Sequence, residues 1–129
     1  MLDLHDGVDG ARDPMVKTAL QMGVGRRRAE AAFDAAAAQQ KRCTETMRQI
    51  GKEALAGLEQ DPDQTAVVVF GRPYNAFAEE AHMGIPHKLA SRGVTVIPLD
   101  FLDLEAEHSK RHMYWGMGEL ILKAARQVE

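Results

Sequence analysis

Cysteine is almost missing from this chain: Cys43 is the only one in 129 residues. A single thiol excludes a disulfide framework, and it excludes an iron-sulfur or zinc site made by this chain alone, because such sites take three or four ligands. It fits a reducing compartment. Long apolar runs are missing as well. The longest is five residues, Ala66 to Phe70, against the roughly 20 that a membrane-spanning helix needs. The opening residues, with Asp3, His5, Asp6 and Asp9, lack the basic-then-apolar order of a secretory signal, so a cytoplasmic location is expected. Neither sign of charge dominates: 16 Lys and Arg face 19 Asp and Glu for a net charge of -3. The balance is even along the chain, with 9 basic and 11 acidic groups in residues 1–65 and 7 and 8 in residues 66–129. No basic face for nucleic acid follows from that distribution. Bulky core formers are few, since Ala alone accounts for 19 residues. A chain of this length makes one domain at most.

What is present falls into three parts, read together as one domain fragment. Residues 1–12 hold Gly and Asp without apolar periodicity and read as a disordered leader. Residues 13–60 are helical. Asp13-Pro14 reads as an N-cap and first helical residue, and Gly23 as a stop, giving a short helix from Pro14 to Met22. A long helix is predicted from Arg26 to Leu58, because Phe33, Ala36, Gln40, Cys43, Met47, Ile50, Ala54 and Leu58 recur at spacings of three and four. Cys43 falls on that apolar stripe, where packing is its expected role. Gly51 and Gly57 each weaken the second half by about 1 kcal/mol relative to Ala, which predicts a bend or break near Gly51.

Residues 61–129 change character. After the turn signal Asp61-Pro62-Asp63, the β-branched run Ala66 to Phe70 suits a strand buried on both faces. A loop follows at residues 71–75, then a helix opening at Ile85-Pro86 and closing at Gly93, then a strand from Val94 to Pro98. A final helix begins near His112 with the stripe Tyr114, Met117, Ile121, Ala124, Ala125 and Val128. Strand, helix, strand, helix in that order predicts an α/β fold with a Rossmann-like parallel unit. Only two strands are legible, and both edges of such a sheet are unsatisfied. The chain therefore reads as an incomplete fragment, completed by another copy or by further parts of the same polypeptide.

In open parallel sheets ligands bind beyond the carboxyl ends of the strands. Here those ends carry Gly71, Arg72, Tyr74 and Asn75 after the first strand and Asp100 after the second. Gly71 allows a tight turn, Arg72 offers planar donors for a phosphate or carboxylate, and Tyr74 offers a hydroxyl. These five are the candidate ligand-binding residues. The plainer alternative is that Arg72 pairs with Asp100 or Glu79 and Tyr74 packs. His108 and His112 stand at i and i+4, and His82 and His87 lie near a helix start, but no third ligand stands at metal spacing and no metal site is expected. Catalytic signatures are missing: there is no Walker loop, no GxGxxG fingerprint and no Ser nucleophile elbow. The fragment alone is expected not to be catalytic.

The stretches Val67 to Asn75 (VVVFGRPYN), Met83 to Ala90 (MGIPHKLA) and Val94 to Leu102 (VTVIPLDFL) carry a resemblance. They resemble the large CoA-substrate-specific enzyme activases related to 2-hydroxyacyl-CoA dehydratase and benzoyl-CoA reductase. The similarity extends through Met113 to Gly116, Ile121 to Arg126, and back over Ala29 to Gln39. The resemblance implies a parent protein in which sugar-kinase-like ATPase modules with an iron-sulfur cluster are joined to a dehydratase-like region, of which this chain is a piece. ATP and the cluster belong, by that implication, to the parent and not to this chain, whose partners are the other domains of the same polypeptide. The family more often has Asn where His82 stands and an acidic residue with proline where Phe77-Ala78 stands.

Three functional readings follow. The first is a non-catalytic α/β portion of a fused activator and dehydratase-like protein, with residues 71–75 facing the cluster or CoA-substrate cleft. The second is a small phosphate- or nucleotide-binding module. The third is a structural dimerisation domain that self-associates through strand edges or the long helix.

Overall fold

The computed structural model describes residues 8–61, 63–105, 107 and 113–128. Helix α1 (Arg12–Gln21) and helix α2 (Arg26–Gln60) come first, followed by strand β1 (Ala66–Val69). Three short helices, α3 (Pro73–Phe77), α4 (Glu79–His82) and α5 (Ile85–Ala90), lead to strand β2 (Thr95–Pro98) and, after a 3-10 turn at Leu99–Phe101, to helix α6 (Gly116–Gln127). The two strands pair in parallel, Ala66 opposite Thr95 through Val69 opposite Pro98. The architecture is α/β, with one parallel two-stranded sheet and one long helix.

The chain divides into two compact units, with the boundary between Glu45 and Thr46 inside α2. In the first unit a 3-10 turn at Asp9–Ala11 runs into α1, so helical structure begins earlier than Pro14, and Pro14 is the third residue of the helix. Residues 1–7 of the expected leader lie outside the described residues. Ala11, Val16 and Ala29 are buried. Arg12 pairs with Asp34 at 3.2 Å, and the hydrogen bond and charge of that carboxylate hold the Arg12 guanidinium above its ordinary pKa. Much of the predicted α2 stripe does not pack. Phe33 and Met47 are half-buried, whereas Ala36, Gln40 and Cys43 are exposed. Packing is therefore not the role of Cys43.

The second unit is built around Ile97, Leu99, Leu102, Leu104 and Ala124, all buried. Against them lie Ala54, Leu55 and Leu58 from α2, Val68 from β1, and Met117 and Ile121 from α6. Alternation explains the sheet's share: Val68 and its partner Ile97 point into this core, since successive strand residues face opposite ways. The expectation of a β1 buried on both faces does not hold. Val67, on the face opposite Val68, is 37% exposed, and Phe70, just beyond the end of the strand, is 40% exposed. The final helix opens at Gly116 rather than near His112, which lies outside the described residues. Its inner stripe is Met117, Ile121 and Ala124, while Tyr114 precedes the helix and is 93% exposed.

Gly51 explains why the core closes on α2. The helix runs through this position without the expected break. A Cβ built at Gly51 would stand 1.9 Å from the Phe101 carbonyl oxygen and 2.8 Å from its carbon. Glycine is there because the backbone of the 99–101 turn lies directly on the helix. Two ion pairs flank the seat: Lys52 reaches Asp103 at 2.7 Å and Arg48 pairs with Glu105. Both are largely solvated and contribute little by themselves.

Gly51→Ala and Gly57→Ala are therefore expected to move stability in opposite directions. Either change gains up to about 1 kcal/mol of helix propensity, but at Gly51 the new methyl collides with backbone, and overpacking of this kind costs about 1–3 kcal/mol or more. Around Gly57 nothing lies within 4 Å. Urea melts of the two variants check this: loss at 51 and gain at 57 is the expected pair, and stabilisation at both positions contradicts the close approach.

Candidate functional site

The β1 strand ends at Val69, and the next residues turn sharply. Gly71 adopts φ +152, and its missing side chain leaves room for Asn75, whose Nδ2 would lie 3.1 Å from a Cβ there. Arg72 is extended, as a residue before proline is driven to be, and Pro73 opens α3 at its first position. The Asn75 amide donates to the Arg72 carbonyl at 2.8 Å, and the Ala78 amide donates to the Tyr74 carbonyl at 3.0 Å. What the sequence presents as a loop at 71–75 is thus a tight turn entering a one-turn helix.

Gly71, Arg72, Tyr74 and Asn75 line one open cleft of about 460 Å³ together with Trp115, Met117 and Ile121. Arg72, Tyr74 and Asn75 are exposed. Among the described residues Arg72 forms no ion pair, so it pairs with neither Asp100 nor Glu79. That Trp115 lines this cleft was not foreseen from sequence. Trp115 immediately precedes α6, and a Cβ on Gly118 would stand 2.5 Å from its Cε3 and 3.2 Å from its Cδ2. The indole therefore lies against the backbone at Gly118 and remains 55% exposed. A glycine three residues after a tryptophan is the one sequence feature that carries this arrangement.

Asp100 does not join the group. It sits in the 3-10 turn between buried Leu99 and half-buried Phe101, and does not line the cleft. Its Oδ2 is buried without a hydrogen-bond partner among the described residues. Burial pushes its pKa up, opposed by a hydrogen bond from its own backbone amide. Asp103 shows the opposite behaviour, held below the ordinary carboxylate range by its hydrogen bond from Lys52 and by the Glu105 amide.

The histidines are engaged locally. His82 is 9% exposed, and its Nδ1 accepts the Gly84 amide at 3.0 Å. Its ring meets that of His87 edge-on at 6.4 Å. His108 and His112 lie outside the described residues. No group of three or more His, Cys, Asp or Glu gathers among the described residues, and the chain's one Cys is exposed on α2. This donor set does not fit an iron-sulfur cluster. No described helix is long and apolar enough to cross a membrane.

The Asp100 geometry sets a pH dependence. A carboxyl with a raised folded-state pKa keeps its proton while the unfolded chain has already released it, so stability falls as pH rises from about 4 through the raised value. Asp100→Asn removes the charge that burial disfavours. Thermal melts from about pH 3.5 to about pH 7 are expected to converge with the parent at the acid end and to show the variant more stable at the neutral end. A variant less stable at neutral pH contradicts a carboxylate whose charge burial disfavours.

Comparison with known proteins bears on the whole arrangement. No curated protein and no solved structure matches the chain. A family model described as the CoA enzyme activase uncharacterised domain matches residues 1–102, a span that includes β1, the 71–75 turn and β2 and stops before Trp115 and α6. With most of its length inside that match, the chain belongs to the CoA enzyme activase domain family.

Proposed function

We propose that this chain is a non-catalytic α/β portion of a fused protein, in which an ATP-dependent activator is joined to a 2-hydroxyacyl-CoA dehydratase-like iron-sulfur region. In this reading residues 71–75 face the cluster or CoA-substrate cleft of the whole molecule. The observation that carries it is Arg72: a solvent-facing guanidinium without an ion-pair partner among the described residues, at the carboxyl end of a parallel strand, inside the family match. Parallel sheets use that end for ligands. Since the donor set here does not fit a cluster, the cluster and the ATPase belong to other parts of the polypeptide, which are then this chain's partners in a cytoplasmic protein. The outer edges of the two-stranded sheet, unpaired among the described residues, offer those parts a place to add strands, and offer the same to a second copy.

Arg72→Ala tests the reading. In this chain the change is expected to alter unfolding free energy by no more than about 0.5 kcal/mol, the usual range for surface substitutions. In the intact parent protein the same change is expected to lower activity about tenfold or more, as loss of a charge-assisted hydrogen bond does. A loss of several kcal/mol in a denaturant melt makes Arg72 scaffold, and unchanged parent activity removes the loop from the site.

A further inference from the structure

Among the described residues His82 is the one polar or charged residue that is buried, and the bond it makes depends on its protonation state. It ends α4, and its Nδ1 accepts the Gly84 amide at 3.0 Å. An amide nitrogen only donates, so Nδ1 carries a lone pair, the ring hydrogen sits on Nε2, and the imidazole in this bond is neutral. The bond closes an unusual stretch of backbone. Met83 has φ +50 and Gly84 φ +70, two left-handed residues in succession, and the first is not a glycine. Such a conformation persists where its surroundings hold it. Met83 is exposed, so packing of its side chain does not fix it. What holds the turn is hydrogen bonding: the Met83 amide donates to the Glu79 carbonyl at 2.9 Å, and the Gly84 amide donates to His82. The same Gly84 is the N-cap of α5, and its carbonyl accepts the Lys88 amide at 3.0 Å.

A proton added to the ring makes both nitrogens donors, and Nδ1–H then faces the Gly84 N–H. A buried imidazolium also calls for a counter-charge. On α4 itself Glu79 and Glu80 are exposed. From α5, His87 meets the ring edge-on at 6.4 Å, and Lys88 is exposed. From α3, which packs on α4, the titratable side chain is Tyr74, also exposed, and Phe77 meets Phe101 in the turn that carries Asp100. Among the described residues none of these groups forms an ion pair or hydrogen bond with His82. We propose that the bond between His82 and Gly84 is a proton-operated latch on the α4–α5 turn, closed by the neutral imidazole and opened in the weakly acidic range where histidine takes up a proton. Opening lets Met83 leave its left-handed conformation and uncouples the start of α5 from the end of α4. The latch stands apart from the reading of residues 71–75 and does not depend on it.

Nuclear magnetic resonance of the 129-residue chain between about pH 8 and about pH 5 reads the latch atom by atom. At the alkaline end the His82 ring is expected to carry its hydrogen on Nε2. As pH falls, the Gly84 amide proton is expected to shift in step with the His82 ring. Its exchange protection, corrected for the intrinsic pH dependence of exchange, is expected to drop about tenfold, as loss of one hydrogen bond does. In His82→Asn the side-chain oxygen can accept the same amide and has no proton to gain, so protection is expected to stay level over this range. His87→Asn and Asp100→Asn leave the latch in place and are expected to keep the drop. The proposal is overturned if the Gly84 amide ignores the His82 titration, if the neutral ring carries its hydrogen on Nδ1, if His82→Asn shows the same drop, or if the drop disappears in His87→Asn or Asp100→Asn. Should His82→Asn not fold, the ring tautomer and the Gly84 titration in the unaltered chain decide the matter.

Discussion

The second unit depends on the backbone of the 99–101 turn resting on helix α2 at Gly51. With a methyl group there the Phe101 carbonyl has nowhere to go, and Ile97, Leu99, Leu102 and Leu104 cannot lie along Ala54, Leu55 and Leu58. That run is the continuation of β2, so the seat fixes where β2 ends. Through the parallel register it also fixes β1, whose Val68 stands opposite Ile97 in the core. From β1 the chain is handed directly into the Gly71-Arg72-Pro73 turn. A helix position some twenty residues upstream in sequence thus determines where the candidate site stands. The flanking pairs, Lys52 with Asp103 and Arg48 with Glu105, align the same segment without supplying much of the energy.

The strands and the long helix were legible because their signals are local and repeated. A β-branched run between turn residues gives β1, a second gives β2, and apolar spacing of three and four residues gives α2 over nearly its full length. Helix α3 was not legible, since five residues are too few for any periodicity. Gly51 was legible only as a weak point in a helix. Propensity is a property of one residue, whereas the reason for this glycine lies some fifty residues downstream in the Phe101 backbone. The stripe assigned to α2 failed at Ala36, Gln40 and Cys43 for a related reason: periodicity marks a face that could be buried, and only a partner buries it.

The site divides in the same way. Gly71, Arg72, Tyr74 and Asn75 follow from the rule that parallel strands carry function at their carboxyl ends, and the fold brings these four to one cleft. Asp100, the fifth candidate, does not line that cleft. Buried Leu99 precedes it, half-buried Phe101 follows it, and the turn they share buries its Oδ2. Trp115 joins the cleft through α6, which packs Met117 and Ile121 against the core. That is tertiary information, and the pairing of Trp115 with Gly118 is its only local trace. Asp100 and Asp103, three residues apart, thus have their pKa values displaced in opposite directions, the first upward by burial and the second downward by Lys52.

Residue-resolved amide hydrogen exchange tests the central dependence most directly. If the sheet is held by its seat on α2, the amides of residues 54–58, those of the β1–β2 ladder and the Leu102 amide, which donates to the Leu99 carbonyl, belong to one cooperative unit. They should then open with one common free energy under denaturant. A ladder that stays protected while residues 54–58 exchange early would show that the strands stand without the helix, and would contradict the account.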